Sequence, residues 1–174
     1  MDLDISMEAA WPGPTDWADL AERASEAAAQ VARELDNPRL SASLLFSDDA
    51  EVRTLNREWR AKDKPTNVLS FPMLDRADLL ALAADGPPEL LGDIALALET
   101  CAREATDKGA PLAHHAAHLI VHGLLHLAGH DHETSPEEAT AMEALEIKAL
   151  ALLGIADPYG DSAEPSGGPA STRG

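Results

Sequence analysis

The 174-residue chain is predicted to fold as a single α+β domain, in which a small mixed β-sheet packs with about five helices. Short runs with strand-like alternation lie mostly in the first half of the chain, and longer runs with helical periodicity dominate the second half. Apolar residues make up 45% of the sequence. That content is enough for the core of one domain of roughly 150 ordered residues.

Strands are predicted where short apolar runs are bounded by glycine, proline or polar residues. In chain order these runs are residues 2–7, 40–47, 67–71 and 92–98. Residues 75–89 separate the last two runs and contain the breaker Gly86-Pro87-Pro88. We therefore expect residues 75–89 to form a loop.

Helices are predicted from their periodicity and from residues that favour helix ends. In chain order they are residues 15–35, a segment ending near residue 62, and residues 99–107, 112–128 and 136–153. Thr15, either Asp48 or Asp49, and Ser135 are candidate N-caps, because their side-chain oxygens can accept hydrogen bonds from first-turn amides. Gly129 stands where the fourth of these helices would stop.

The ends of the chain and its single cysteine carry less information. The first ten residues are acidic and no long apolar run follows, so we expect a cytoplasmic protein with no membrane partner. Cys101 cannot form an internal disulfide and is expected to be a buried thiol. From residue 156 onward Gly, Pro, Ser and acidic residues predominate. We therefore predict a domain at residues 1–155 and a disordered tail at residues 156–174.

The clustering of all seven histidines within residues 114–132 is the strongest functional signal in the sequence. His122 and His126 stand four residues apart on the helix predicted at residues 112–128. Their imidazoles therefore share one face and can converge on one cation. This spacing predicts half of a metal site.

A third ligand must come from beyond the end of that helix. His118 and His126 would be about 12 Å apart along the axis, too far for two ligands that each lie about 2.1 Å from one ion. Gly129 permits the chain to turn back, so that either His130 or His132 could reach the ion. Three nitrogen ligands leave a tetrahedral position open for water, as in catalytic zinc sites. The other histidines are expected to pack, cap or face solvent.

Two protein families have a histidine pattern of this kind. Metzincin proteases carry a glutamate general base after the first histidine. The chain has Gly123 there, and loss of such a base typically costs about 10²- to 10⁴-fold in rate. The chain instead resembles the YbeY family of bacterial metal-dependent endoribonucleases, implicated in ribosomal RNA maturation, in the segment His122-Gly-Leu-Leu-His126-Leu-Ala-Gly129-His130-Asp131-His132.

Two further segments carry the same resemblance. One extends from Leu55-Asn56-Arg57-Glu58-Trp59-Arg60 to Pro65-Thr66-Asn67-Val68-Leu69-Ser70-Phe71-Pro72. The other is Leu91-Gly92-Asp93-Ile94. The three segments follow one another in the family's order and cover the middle of the chain, about residues 45–132.

The resemblance implies a set of site residues. It names His122, His126 and His132 as ligands of one Zn²⁺ per chain and leaves His130 as a bystander. It also implies that Arg60 faces the metal and helps to bind or polarise the scissile phosphate, for which the planar, permanently charged guanidinium is suited. Imidazole sites accept several divalent first-row metals, so zinc is the default rather than a deduction.

The charge of the chain limits how it could bind RNA. A net charge of −18 and a pI near 4.5 give no general attraction to phosphate. Arg53, Arg57, Arg60 and Lys64 follow helical spacing, and they form either a local cationic face or only a solvated one. We expect weak, salt-sensitive affinity for bare RNA and a partner, such as the ribosome, that presents the substrate.

The function predicted is metal-assisted hydrolysis of an RNA phosphodiester. The resemblance implies a single-strand-specific endoribonuclease that matures the 3′ end of 16S rRNA and serves ribosome quality control, with no role for DNA. A metal in this site would lower the pKa of bound water toward about 7. The proton acceptor is left open between the metal-bound hydroxide, a substrate group and Asp131, which could instead support a ligand imidazole or fix the turn.

Two alternatives belong to other functional classes. One is a metzincin-like metalloprotease or another zinc hydrolase, which would cleave peptides despite Gly123. The other is a non-catalytic ribosome assembly factor in which a structural zinc holds the carboxy-terminal helices. Substitution of Arg60 separates them, because only RNA cleavage needs a phosphate clamp.

Overall fold

The computed structural model describes residues 1–62, 66–131 and 135–159. Within them a mixed four-stranded sheet has the order β1-β2-β4-β3. The strands are β1 (Asp2–Met7), β2 (Leu40–Ser47), β3 (Val68–Pro72) and β4 (Glu89–Ala97). β1, β2 and β4 are parallel, and β3 runs antiparallel to β4 at one edge. The predicted α+β class with a small mixed sheet is confirmed.

Six α-helices and one 3₁₀ turn lie in these described ranges. The helices are α1 (Trp17–Val31), α2 (Asp49–Arg60), α3 (Arg76–Leu80), α4 (Leu98–Lys108), α5 (Leu112–Leu127) and α6 (Pro136–Leu152), and the 3₁₀ turn is Arg33–Leu35. The caps predicted at Asp48 and Ser135 are confirmed, since their side chains accept from the amides of Glu51 and Glu138.

Three predictions about local structure differ from the structure. Asp16, not Thr15, caps α1, because its carboxylate accepts a hydrogen bond from the amide of Asp19. The predicted loop at residues 75–89 contains the short helix α3, which begins after an N-cap at Asp75. β4 also begins at Glu89, three residues earlier than the predicted strand at residues 92–98.

Helix α5 lies at the centre of the molecule. It contacts β3 and β4 on one side and α1, α4 and α6 on the others. Most of its residues are therefore buried, as expected for a helix that is apolar around its whole circumference. Its histidines are held by neighbouring elements, and this fixes their positions.

Gly92 brings β3 and α5 close to β4. Its φ is +155°, and a Cβ there would lie 2.5 Å from the carbonyl oxygen of Phe71 and 2.7 Å from a methyl carbon of Leu127. A side chain at this position would push both elements away. The Leu91-Gly92-Asp93-Ile94 segment thus sets the distance between β3 and α5, the elements that carry much of the site.

The opposite face of the sheet is covered by α2. Val52 packs there against Leu69 of β3 and against Ala95 and Ala97 of β4. This packing places the carboxy-terminal end of α2, where Arg60 lies, beside the edge of the sheet formed by β3.

Cys101 is fully buried, as predicted. Burial raises the pKa of its thiol to about 12, with help from the negative charge of Glu104. Among the described residues, no helix combines the length and apolar character needed to cross a membrane.

Candidate functional site

A cleft of about 600 Å³ opens at the β3 edge of the sheet. Residues from α2, β3, α5, α6 and the segment after α6 line it. They include Arg60, Ser70, His122, His126 and Glu146. The cleft therefore brings together two of the three predicted ligands and the predicted phosphate clamp, which lie far apart in sequence.

His122 is oriented by a buried carboxylate. Its Nδ1 lies 2.7 Å from Oε2 of Glu146, a side chain only 1% exposed. Burial raises the pKa of Glu146, but the hydrogen bonds from His118 and His122 outweigh it and bring the pKa down to about 2. Glu146 is thus ionised at neutral pH and accepts the Nδ1 proton of His122. In the neutral ring, Nε2 is then the nitrogen that carries the lone pair.

His126 is oriented by β3. Its Nδ1 lies 2.8 Å from Oγ of Ser70. If the ring donates its Nδ1 proton to this hydroxyl, Nε2 again carries the lone pair that a metal requires. Both predicted ligands on α5 can thus offer the same nitrogen, each with its other nitrogen held by a hydrogen bond.

Glu146 also joins two further side chains. Its Oε1 accepts a hydrogen bond from Nε2 of His118 at 2.9 Å and one from the hydroxyl of Tyr159. His118 is 6% exposed, and its Nε2 is used in this network. It was expected to pack, cap or face solvent, and it packs. Tyr159 keeps the first four residues of the predicted tail, 156–159, against the domain.

His115 belongs to a neighbouring network. Its Nε2 lies 2.8 Å from Oε1 of Glu104, and the side-chain amide of Asn67 donates to the same oxygen at 2.9 Å. Burial lowers the pKa of His115 from its ordinary value, although the hydrogen bond to Glu104 opposes the shift. His115 is therefore a buried, hydrogen-bonded residue beside the cleft.

His130 and His132, the two alternatives for the third ligand, differ in what the structure describes. Nε2 of His130 lies 2.9 Å from Oε2 of Glu34, and neither residue is among those that line the cleft. His132 falls outside the described residues, so its predicted role as a ligand stays a prediction.

Three of the four basic residues that could form a cationic or a merely solvated face lie on α2. Arg53, Arg57 and Arg60 are exposed on α2, and Arg60 lines the cleft. Lys64 lies outside the described residues. Arg60 therefore shares the cleft with His122 and His126, and its role in binding phosphate stays a prediction.

The donor set fits a metal as far as the structure describes it. Among described residues, no three His, Cys, Asp or Glu side chains form a group that could hold an ion. His122 and His126 nevertheless have the carboxylate and hydroxyl partners that typically fix the tautomer of metal-ligating imidazoles. These partners support a site that a third ligand beyond α5 would complete.

Gly123 leaves little room for a protease-like general base. An added Cβ would lie 3.0 Å from Cδ1 and 3.3 Å from Cγ2 of Ile94, which is buried in the core. A glutamate at this position would be forced against β4. The geometry of α5 thus disfavours the arrangement that metzincins require.

Sequence reasoning missed Glu146, Ser70 and Tyr159. Glu146 could have been found, because it lies on the buried stripe of α6 with Met142, Ala149 and Leu150. A carboxylate on an apolar stripe needs partners to offset its desolvation. Ser70 and Tyr159 carry no comparable local signal.

A comparison with protein-family models decides the family. Residues 9–154 match the model described as Endoribonuclease YbeY. The chain belongs to the YbeY family. The resemblance drawn from three sequence segments is thereby confirmed, over a longer stretch of chain than those segments cover.

Curated relatives agree with this assignment. The Endoribonuclease YbeY of Erythrobacter litoralis is 62% identical over 161 residues, which covers 92% of this chain and 99% of the relative. The Endoribonuclease YbeY of Novosphingobium aromaticivorans is 58% identical over 158 residues, covering 90% and 95%. Both matches therefore extend over nearly the full length of each YbeY relative.

A solved structure shares the fold. The solution structure of TM1509 from Thermotoga maritima superposes with a TM-score of 0.55 and covers 98% of this chain and 99% of that one. The two sequences are 19% identical, so the likeness concerns the fold alone.

Proposed function

We propose that this protein is a zinc-dependent, single-strand-specific endoribonuclease of the cytoplasm that matures the 3′ end of 16S rRNA and serves ribosome quality control. The observation that carries the proposal is the cleft, which is lined by Arg60, His122 and His126 together. The curated relatives named Endoribonuclease YbeY support the choice of RNA as substrate.

In this proposal the metal is held by His122, His126 and His132, one ion per chain. Zinc, or another divalent first-row metal, supplies a Lewis acid that lowers the pKa of a water molecule and steadies negative charge on the phosphate. Glu146 and Ser70 hold Nδ1 of the two α5 ligands, so that each ring presents Nε2. This preorganisation is the contribution of the chain's own residues to metal binding.

Arg60 binds the scissile phosphate. Its guanidinium offers paired donors to two phosphate oxygens and keeps its charge at every relevant pH. Such a clamp fixes the phosphate in the cleft and stabilises charge that develops during cleavage. Because Arg60 lies at the end of α2, substrate can enter from solvent without crossing the core.

The charge of the molecule favours a presented substrate over free RNA. With a net charge of −18, the protein as a whole repels a polyanion, and Glu143 and Glu146 also line the cleft. A ribosome that holds its RNA in place would supply the affinity that the surface lacks. We therefore propose the ribosome or its proteins as the partner.

Substitution of the proposed phosphate-binding residue, Arg60, and of a proposed metal ligand, His126, tests the proposal. Arg60→Ala should lower cleavage of single-stranded ribosomal RNA by about 10²- to 10³-fold, the usual scale for a lost electrostatic contact. Its metal content, measured by mass spectrometry, should stay at the wild-type level. His126→Ala should lose both metal and cleavage. Arg23→Ala, which removes an exposed arginine of α1, is the matched control and should cleave normally.

Other outcomes would favour the alternatives. Cleavage of a peptide library that survives Arg60→Ala would point to a zinc hydrolase of another class. Bound metal in a protein that cuts no ribosomal RNA, with or without ribosomal subunits, would favour the assembly factor. RNA cleavage that persists in a chelator and in His126→Ala would overturn the metal-dependent mechanism.

A further inference from the structure

The turn that follows α5 is held by two side chains from distant parts of the chain. Nη1 of Arg76, the first residue of α3, donates to the carbonyl oxygen of Ala128 at 2.7 Å and to Oε2 of Glu34 at 2.9 Å. The same oxygen of Glu34 lies 2.9 Å from Nε2 of His130. Glu34 and Arg76, named here the turn clamp, thus bind the turn at two points.

Two of the three side chains at the turn are largely shielded from solvent, whereas the side chain of Arg76 is 38% exposed. The side chains of Glu34 and His130 are only 14% and 19% exposed. Burial raises the pKa of Glu34, but its own backbone amide and the bonds from Arg76 and His130 outweigh that effect and lower it. Glu34 is therefore an ionised acceptor, and its bonds are of the stronger, charge-assisted kind.

Arg76 also meets two requirements of the helix end. Ala128 has one of the last carbonyl groups of α5, which lack partners within the helix, and a cation is favourable at this pole of the helix dipole. Gly129 has φ +96°, and a Cβ there would lie 2.7 Å from Cβ of Arg76. The glycine thus allows both the turn and the close approach of the arginine.

The position of this turn gives the turn clamp a consequence for metal binding. His126 precedes the turn and is anchored to Ser70 on β3. His132, the third ligand of the proposed zinc site, comes two residues after His130. Because His132 follows residue 131 directly, the conformation of residues 128–131 limits the positions that His132 can reach. Without the turn clamp, these residues would have to become ordered when the ion binds, at a cost in conformational entropy.

We propose that Glu34 and Arg76 are positioning residues for the metal site, which hold the turn after α5 so that His132 can complete the site begun by His122 and His126. His130 is then the residue of the turn that Glu34 binds, and it is not a metal ligand. This inference rests on the proposed zinc site.

The test measures zinc affinity and turn mobility on the full chain. Competition with a chromogenic chelator gives the zinc dissociation constant, and hydrogen exchange of the metal-free protein reports the amides of residues 128–131. Glu34→Gln and Arg76→Ala should each weaken zinc binding by about 10- to 100-fold, as losses of outer partners of metal ligands do. Both should speed exchange in the turn. Arg76→Lys keeps the positive charge but has a single ammonium group for the two acceptors. Its zinc affinity and its exchange rate in the turn should therefore lie between those of the other two variants and those of wild type.

Arg39→Ala is the matched control. Arg39 likewise donates to backbone carbonyls, those of Ala83 and Pro87, and pairs with Glu89, but it lies outside the cleft and the turn. Its loss should lower the thermal midpoint without changing zinc affinity. A role in stability alone would instead make the clamp variants behave like this control.

The outcomes separate failure of the clamp from failure of the site. Wild-type zinc affinity in Glu34→Gln and Arg76→Ala, with faster exchange in the turn, would overturn the clamp alone. Loss of zinc in His130→Ala as complete as in His126→Ala would make His130 a ligand and also overturn it. A wild-type protein that binds no zinc would overturn the proposed site, and the clamp with it.

Discussion

At the scale of single residues, Glu146 joins three other side chains that line the cleft. One buried carboxylate accepts hydrogen bonds from His122 on one oxygen and from His118 and Tyr159 on the other. An ionised carboxylate has acceptors on both oxygens and no proton of its own to donate, which suits it to three donors. The tautomer of His122 is therefore determined from α6, across the interior of the protein.

Glu146→Gln is expected to weaken zinc binding by about 10- to 100-fold. Glutamine keeps the shape but offers one acceptor oxygen, so its NH₂ group must face either His118 or His122. If it faces His122, the imidazole must turn Nδ1 into an acceptor and carry its proton on Nε2, where it blocks a metal. Chelator competition checks the affinity, and urea unfolding should show a loss of about 1–3 kcal/mol in the metal-free protein.

Glu22→Gln on the exposed side of α1 is the control for this change. It removes the same charge far from the cleft and should leave zinc affinity and stability near wild type. Equal affinity in Glu146→Gln and Glu22→Gln would show that Glu146 has no part in orienting a ligand.

The site was predictable from sequence only where its residues are local. His122 and His126 follow from a four-residue spacing on one helix, and Arg60 from a recognisable motif. Glu146 and Ser70 reach the same imidazoles from other elements, and no local pattern states that contact. The contact between His130 and Glu34 likewise joins residues 96 positions apart, and no local pattern indicates it.

At the scale of secondary structure elements, the spacing between α5 and β4 controls the site. Gly123 faces Ile94 so closely that one methyl group would meet it at 3.0 Å. A glycine inside a helix is intrinsically unfavourable by about 1 kcal/mol relative to alanine. The close approach of helix and strand therefore opposes the intrinsic preference of the helix.

Gly123→Ala tests which effect is larger. Overpacking typically costs about 1–3 kcal/mol, more than the gain in helix propensity. We therefore expect a net loss of about 1 kcal/mol in the free energy of unfolding. In an Ile94→Val background the Cδ1 atom is gone, and the same Gly123→Ala change should become neutral or stabilising. A double-mutant cycle by urea unfolding measures this coupling, and additive effects would contradict it.

The elements themselves were largely predictable, whereas their arrangement was not. Alternation located the four strands, and caps such as Ser135 located the helix starts. The helix α3 was missed because five residues between breakers show no period, although Asp75 offers a cap. The sheet order places β4 between β2 and β3, and this depends on packing against α5 and α2 that no single segment encodes.

At the scale of the whole molecule, stability should depend on pH through His115. Its folded-state pKa lies below the ordinary value of 6.5 because burial disfavours the charged ring. Below pH 6.5 the unfolded chain therefore takes up a proton that the folded protein does not. The folded state loses stability as the pH falls from 6.5 toward the folded-state pKa.

Urea unfolding of metal-free wild type and His115→Gln should show this effect. Between about pH 7.5 and about pH 5.5, the wild type should lose more stability than the variant, by at most about 1.4 kcal/mol, which corresponds to the one pH unit between 6.5 and 5.5. Glutamine can still donate to Glu104 but does not titrate. Above about pH 7.5 the two curves should run parallel, because the unfolded-state histidine is then almost fully deprotonated. Parallel curves throughout would assign the pH dependence to other groups.

The boundary of the domain could be predicted only approximately from amino-acid composition. The acidic, Gly- and Pro-rich sequence after residue 155 predicted a tail with no role in the domain. A single tyrosine within it nevertheless contacts Glu146 and His118. Composition averages over many residues, so it cannot reveal one side chain with a specific partner.

The contact of Tyr159 with Glu146 also has a consequence for the timing of synthesis. Translation proceeds from the amino terminus, so the sheet and α5 are made before the carboxylate and the hydroxyl that complete the cleft wall. A chain still attached to the ribosome that translates it lacks that wall until α6 and Tyr159 have emerged. Assembly of the cleft wall therefore waits until the chain as far as Tyr159 has been synthesised and has left the ribosome.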